Sequence, residues 1–162
     1  WPLSRTTSKM CIVRAERPDL EEILRLQYLA YQSEARLLNN FSIPPLRENL
    51  EDLVRQFEAG MVFLKAVDTD GDLMGSVRAR ATQGTVYVGK LMVHPQHQGK
   101  GLGTRLLAAL ESAMGSIVPQ ARYELFTSTQ SLRNLRLYER AGYRPFREEE
   151  PEPGLRLVFL EK

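Results

Sequence analysis

The sequence predicts one domain of the α/β (α+β) class, with a mixed sheet of about seven strands and about four helices. Its length of 162 residues suits a single domain. Strand-like and helix-like segments alternate along the chain, and no stretch repeats another. Two glycine-bearing turns join consecutive strand-like segments in the middle of the chain, which favours an antiparallel meander there.

The first half of the chain is predicted to contain one strand and two helices. Residues 9–15 form the predicted strand. Pro18 and the acidic residues after it are typical of a helix start, and we expect this helix to end near Gln32. Residues 35–45 are expected to form a loop. The second helix ends at Gly60, and its apolar stripe consists of Leu46, Leu50, Leu53, Val54 and Phe57.

The second half is predicted to alternate strands with two further helices. Turns at Asp70-Gly71 and Gln83-Gly84 join three strands, at 61–67, 73–81 and 85–93. A helix then connects the fourth strand to a fifth, which makes these two strands parallel in an otherwise antiparallel sheet. This helix has an apolar side formed by Leu102, Leu106, Leu107, Leu110 and Met114. The later elements are a strand over 123–127, a helix over 132–141, strands over 143–146 and 155–160, and a charged hairpin loop over 148–154.

Composition argues against several classes of protein. The net charge of +2 is not the basic excess of a nucleic-acid-binding domain, and no apolar run approaches the roughly 20 residues of a membrane span. Cys11 is the only cysteine, which leaves no disulfide framework within the chain, and we expect it to be a small buried residue of the first strand. We therefore expect a cytoplasmic protein that binds no metal, no nucleic acid and no membrane.

Residues 1–9 are expected to be a flexible tail, either native or left over from cloning, because they carry no apolar signal segment. The single domain is then predicted to occupy residues 10–162.

The stretch QGKGLG, residues 98–103, places glycine at every second position just before a well-formed helix. A helix N-terminus offers unpaired N–H groups and partial positive charge, and glycine lets an anion approach them. A plain flexible turn explains the glycines equally well. The spacing does not match the dinucleotide fingerprint GxGxxG. GTVYVGK, residues 84–90, has the spacing of a P-loop but lacks its Ser or Thr.

Residues 98–103 match the signature Q/R-x-x-G-x-G/A, with which the GNAT superfamily of N-acetyltransferases binds pyrophosphate. LYERAGY, residues 137–143, resembles the LYxKxGF/Y motif at the end of that family's last helix. The predicted order of elements is also similar to the family's over nearly the whole chain. This resemblance implies acetyl-CoA as co-substrate, bound between splayed fourth and fifth strands.

The resemblance further implies which residues bind acetyl-CoA. Backbone groups of the fourth strand would bind the pantetheine arm, and an N–H near Met92 would polarise the thioester carbonyl. Where family members often carry Asn before the motif's tyrosine, this chain has Ser131, and Asn134 is the alternative contact. The full implied set is Leu91, Met92, Val93, Gln98, Gly99, Lys100, Gly101, Leu102, Gly103, Thr104, Ser131 and Asn134.

Tyr138 matches the family's candidate general acid, since a phenol with a pKa of about 10 suits the protonation of a leaving thiolate. Its helical spacing is equally compatible with a core position. The general base stays open: the fourth strand has no carboxylate, and Glu34, Glu124 and a water chain are the alternatives. The expected acceptor pocket lies in residues 31–45 and includes Tyr31, Glu34, Asn39, Asn40 and Phe41.

The sequence thus predicts an N-acetyltransferase that moves an acetyl group from acetyl-CoA to a primary amine by direct attack in a ternary complex. The acceptor is a small molecule or a peptide, and a homodimer is compatible with the family. A non-catalytic acyl-CoA-sensing module is the alternative reading. A nucleotide-binding protein is a third, and it would require ATP to bind better than CoA.

Overall fold

The structure, a computed structural model, describes residues 10–162, which contain one seven-stranded sheet and six α-helices. The predicted tail over residues 1–9 lies outside the described residues. The strands are β1 (Met10–Arg14), β2 (Val62–Asp68), β3 (Leu73–Thr82), β4 (Thr85–Val93), β5 (Arg122–Ser128), β6 (Arg144–Glu152) and β7 (Leu155–Glu161). The helices are α1 (Leu20–Ala30), α2 (Gln32–Leu38), α3 (Pro44–Arg47), α4 (Leu50–Glu58), α5 (Leu102–Ile117) and α6 (Leu132–Arg140).

The sheet has the strand order β1-β2-β3-β4-β5-β7-β6. Its first four strands form the predicted antiparallel meander, and β4 and β5 are parallel, as the helical connection requires. The predicted fold class is therefore confirmed. None of the helices within residues 10–162 is long and apolar enough to cross a membrane.

Strands β4 and β5 separate soon after they begin. Their ladder consists only of the pairs from Thr85↔Arg122 to Tyr87↔Glu124. Gly89 of β4 pairs with Arg78 of β3 and Met92 pairs with Ser76, so β4 has a bulge between Gly89 and Met92. Lys90 lies in this bulge and has a φ of 51°. A bulge bends its strand, so β4 leaves β5 at this point. This produces the splayed pair that the sequence resemblance implied.

Both faces of the central strands are covered. On one face, Leu20 and Ile23 of α1 and Leu53 of α4 share a core with Phe63. Cover on both faces explains why successive residues are buried over Val62–Leu64 of β2 and Leu73–Ala79 of β3. On the other face, the predicted apolar side of α5 is buried throughout: Leu102, Leu106, Leu107, Leu110 and Met114.

The predicted loop over 35–45 is wrong in its first half. Helix α2 continues to Leu38, and Asn39 ends it in the left-handed conformation, with its N–H bonded to the carbonyl oxygens of Ala35 and Arg36. Asparagine tolerates this conformation better than most residues. A further short helix, α3, begins at Pro44, near the end of the predicted loop, and ends at Arg47. Leu46 therefore belongs to α3 and not, as predicted, to the same helix as Leu50.

Two more sequence expectations fail because they depend on neighbours in the sheet. The predicted hairpin loop over 148–154 is largely strand, since β7 offers a partner that extends pairing to Glu152↔Leu155. Cys11 is exposed rather than buried, because β1 lies at the edge of the sheet.

Gly75 of β3 marks the closest approach between the sheet and α5. A Cβ atom at this position would lie 2.7 Å from the Met92 carbonyl oxygen and 2.8 Å from Leu106 Cδ1. Gly89 of β4 offers a contrast, because a Cβ atom there would have no neighbour within 4 Å.

We expect Gly75→Ala to lower the free energy of unfolding by about 1–3 kcal/mol, because the carbonyl oxygen belongs to the sheet and cannot move away freely. Gly89→Ala is the matched control and should change it by less than about 1 kcal/mol. Urea denaturation followed by circular dichroism measures both values. Equal losses in the two variants would contradict the close packing at Gly75.

Candidate active site

A slot of about 650 Å³ opens where β4 and β5 separate. Its walls come from the end of β4, the turn and helix start that follow, and the start of α6. Lys100 is exposed and does not line it. The remaining residues of the implied set do line it: Leu91, Met92, Val93, Gln98, Gly99, Gly101, Leu102, Gly103, Thr104, Ser131 and Asn134.

The glycine-rich turn presents open backbone to this slot. Gly99 and Gly101 both have a φ of 79°, which favours glycine, and a Cβ atom on either would have no neighbour within 4 Å. Within residues 10–162, the N–H groups of residues 99–104 donate no hydrogen bond to the protein. A row of free N–H groups at the N-terminus of α5 fits a phosphate-bearing ligand. Gly103 serves packing, since a Cβ atom there would lie 3.0 Å from Leu137 Cδ1.

Side chains of α6 complete the slot. Arg133 Nη1 donates a hydrogen bond of 2.8 Å to Gln98 Oε1, which ties α6 to the glycine-rich turn, and Arg140 adds further positive charge to the lining. Ser131 stands at the N-cap position of α6, but its side chain accepts no capping hydrogen bond. Asn134 Nδ2 donates to Thr127 Oγ1 at 3.3 Å, which fixes the amide at the wall of the slot.

A second, smaller cavity of about 220 Å³, called here the side cavity, adjoins the slot. Tyr31, Glu34, Leu91 and Asn134 line both spaces and mark their junction. The rest of the side cavity is mainly apolar. Its apolar lining consists of Leu38, Ile43, Pro44, Pro45, Val88, Phe126, Pro151, Leu155 and Leu157.

Tyr138 lines the side cavity and is buried, and it belongs to the same core cluster as α5. Burial raises the pKa of Tyr138 well above its usual value, and the Glu34 carboxylate raises it further. The phenol therefore keeps its proton across the physiological pH range. Tyr138 is thus a core residue, as its helical spacing allowed, and also part of the wall of the side cavity.

Glu34 is half-buried at the junction of the two spaces. Helix α2 carries it there, so the helical turn that the sequence prediction missed is also the one that positions this carboxylate. Among the described residues, no cation forms an ion pair with it.

Three residues predicted for substrate binding or base catalysis lie elsewhere. Glu124 lines a groove that lies beyond the side cavity, and it forms ion pairs with Arg122 at 2.9 Å and Arg147 at 3.9 Å. Asn39 caps α2, and Phe41 is 55% exposed; neither lines the slot or the side cavity. Asn39 and Phe41 lie at the surface, and the Glu124 carboxylate is already paired with two arginines.

A buried polar network, which the sequence did not reveal, lies beside the side cavity. Arg78 Nη1 donates to Gln56 Oε1 at 2.9 Å and lies 3.4 Å from Glu48 Oε1, while Nη2 donates to Gln27 Oε1. Gln27 Nε2 in turn donates to Glu48 at 2.7 Å and to the carbonyl oxygen of Pro45, a residue of the cavity wall. The network thereby connects α1, β3 and α4 to the wall of the cavity.

Burial alone would raise the pKa of Glu48. The positive charge of Lys90, hydrogen bonds from Gln27 and Gln56, and the Arg78 charge outweigh burial, so the pKa of Glu48 lies below its usual value. A lysine at position 90 and an arginine at position 78, each directly flanked by apolar residues or glycine within a strand, were signals for this cluster that the sequence analysis did not use.

Comparisons with known proteins identify a family model and a curated relative. The model of the Acetyltransferase (GNAT) family matches residues 18–143. UPF0157 protein YqkA of Bacillus subtilis (strain 168) is 26% identical over 122 residues, which cover 75% of this chain. These residues cover 34% of YqkA, so the chain matches about a third of that relative's length.

Solved structures share the fold over nearly the whole chain. YncA from Salmonella typhimurium, solved with its cofactor acetyl-CoA, has a TM-score of 0.74 at 22% identity and covers 96% of this chain and 94% of its own. Spermidine N-acetyltransferase from Vibrio cholerae, solved with CoA and spermine, has a TM-score of 0.72 at 16% identity and covers 94% of each chain. At such identities the likeness shows the fold alone.

We expect Glu48→Gln to lower the free energy of unfolding by about 3 kcal/mol at pH 7, because it leaves the buried Arg78 guanidinium without a counter-charge. Since the folded-state pKa of Glu48 is lowered, the wild-type carboxylate contributes its stability above about pH 4.5 and loses it as the pH falls through the folded value. The difference between wild type and variant should therefore shrink towards pH 3.

Urea denaturation between pH 7 and pH 3 measures this difference. Glu51→Gln, which replaces an exposed carboxylate in the first turn of α4, is the control and should cost less than about 1 kcal/mol. A difference for Glu48→Gln that stays constant with pH would contradict the role of its charge.

Proposed function

This chain belongs to the acetyltransferase (GNAT) family, and on that premise we propose that it transfers the acetyl group of acetyl-CoA to a primary amine. The observation that carries the proposal is that the slot and the side cavity share a wall, formed by Tyr31, Glu34, Leu91 and Asn134. A transferase acting on two bound substrates needs two spaces that meet where the reacting atoms lie.

The slot suits acetyl-CoA, which supplies an acetyl group activated as a thioester. The free N–H groups of residues 99–104 and the nearby Arg133 and Arg140 would bind the pyrophosphate. The edge of β4 beyond its last pair with β5 offers backbone groups to the pantetheine arm, including the N–H near Met92. The solved relatives that contain acetyl-CoA or CoA support this assignment.

Glu34 and Tyr138 supply the proton transfers of the proposed reaction. The amine arrives as an ammonium and gives a proton to Glu34 before its nitrogen bonds to the acetyl carbon. The carbon–sulfur bond then breaks, and the Tyr138 hydroxyl donates its proton to the leaving sulfur. The acylated nitrogen loses its second proton, which returns the Tyr138 phenolate to its neutral form. An ammonium beside Glu34 also offsets the effect of that carboxylate on the Tyr138 pKa, which makes the phenol a better acid when the acceptor is bound.

The side cavity also argues against a module that only senses acyl-CoA. A sensor needs the slot alone, whereas the side cavity adjoins the proposed acid and base and has room for a second small molecule.

We expect Gly101→Asp to weaken CoA binding by more than about 100-fold, because its carboxylate would lie where the pyrophosphate binds. Gly101→Asn is the matched control: it has nearly the same shape and tolerates the positive φ, but it carries no charge. Isothermal titration of both variants with CoA separates charge from shape, and circular dichroism checks folding. Wild-type affinity in Gly101→Asp would refute the pyrophosphate site.

We expect Tyr138→Phe to lower kcat about 10²- to 10⁴-fold while the Kd for acetyl-CoA stays the same, because the variant keeps the packing and loses the proton. Tyr87→Phe removes a phenol outside the slot and the side cavity and should leave kcat unchanged. Release of CoA is followed with the best amine from a panel of alkylamines, aminoalkanoates and polyamines. Binding of acetyl-CoA without acetylation of any amine would favour the sensing module.

A further inference from the structure

Lys90 is a cation in an unusual position. It lies in the bulge of β4, between the apolar residues of a strand that is otherwise buried or half-buried, and its φ of 51° is in the left-handed region. Non-glycine residues held in this conformation cluster at functional sites. Within residues 10–162, the Lys90 ammonium forms neither an ion pair nor a hydrogen bond.

Lys90 and Glu34 both line the side cavity, but they border it on different neighbouring spaces. Glu34 lines the slot and the side cavity, whereas Lys90 lines the side cavity and the separate groove beyond it, but not the slot. Each charge affects a neighbouring acid: the Glu34 carboxylate raises the pKa of Tyr138, whereas the Lys90 ammonium lowers the pKa of Glu48. Within the described part of the chain, the side cavity thus has an unpaired carboxylate at its junction with the slot and an ammonium, its positive end, where it meets the groove. Its other carboxylate, Glu152, is paired with Arg47 at 2.8 Å.

The positive end lacks a full counter-charge. Arg78 and Lys90 share one carboxylate, that of Glu48, whose oxygens already accept hydrogen bonds from Gln27 and Gln56. Burial lowers the pKa of Lys90, and the Glu48 carboxylate only partly opposes this. One surplus positive charge beside an apolar cavity favours a ligand that brings an anion.

We propose that the acceptor is a small amine with an anionic group at its opposite end and an apolar segment between the two, and that Lys90 binds the anionic group. This inference rests on the proposed acetyl transfer, which places the reacting amine at the junction. The side cavity of about 220 Å³ equals roughly seven water volumes of about 30 Å³ each, which suits a short chain such as an ω-aminoalkanoate. A diamine would bring its second ammonium against Lys90 and is disfavoured.

Three acceptors of matched length test the proposal: 5-aminopentanoate, pentylamine and 1,5-diaminopentane. For the wild type we expect kcat/KM to be at least about tenfold higher for 5-aminopentanoate than for pentylamine, because a charge-assisted hydrogen bond to Lys90 contributes at least a factor of about ten. The diamine should have the lowest kcat/KM of the three. Lys90→Gln should lower kcat/KM for 5-aminopentanoate about 10- to 100-fold through KM and leave pentylamine unchanged. Lys90→Arg should retain most of the preference, because it retains the positive charge.

Arg25→Gln is the control variant, since it removes one positive charge from an exposed helix face outside the slot, the side cavity and the groove. It should leave the order of the three acceptors unchanged. Calorimetric titration of the CoA-loaded protein with the same three amines reports recognition without turnover.

The outcomes separate the two proposals. A wild type that acetylates amines but does not prefer 5-aminopentanoate, or that prefers the diamine, overturns the role of Lys90 and leaves acetyl transfer intact. The role of Lys90 is also overturned if Lys90→Gln lowers kcat for all three acceptors and Lys90→Arg does not restore it. Lys90 would then act on the reaction itself. Binding of 5-aminopentanoate that depends on Lys90 without any turnover supports anion recognition and refutes acetyl transfer.

Discussion

The early separation of β4 from β5 is the constraint on which the rest of the structure depends. The two parallel strands share pairs only from Thr85 to Tyr87, and the bulge at Lys90 then bends β4 away. The edge of a strand presents unpaired backbone N–H and C=O groups, so the edge of β4 can bind a ligand as a further strand would. The slot, its junction with the side cavity and the positive end of that cavity all follow from this one departure.

Charged groups buried beside the opening hold its walls in place. Arg78 joins helices on one face of the sheet through Gln27, Gln56 and Glu48, and Gln27 also reaches the Pro45 carbonyl oxygen in the cavity wall. Burying such groups is costly unless each finds partners. A network of this kind is therefore a means of fixing geometry near the junction, and its surplus positive charge gives one end of the cavity a chemical preference.

Elements encoded by local pattern could be predicted from the sequence. The bounds of β4 over 85–93, the apolar side of α5 and the parallel pairing of β4 with β5 all agree with the prediction. Elements that depend on distant partners could not. Strand β6 is long because β7 pairs with it, and α2 ends at Asn39 because that residue adopts a left-handed conformation, which the sequence permits but does not require.

The sequence by itself determined the class of the fold and the glycine-rich turn of residues 98–103, because periodicity and backbone freedom are local properties. Only the tertiary structure decided which charged side chains meet. Glu34 and Glu124 were equivalent candidates in the sequence, yet one lies at the junction and the other is paired with Arg122 in the groove beyond the side cavity. Electrostatic roles depend on distances across the fold, and spacing along the chain does not contain those distances.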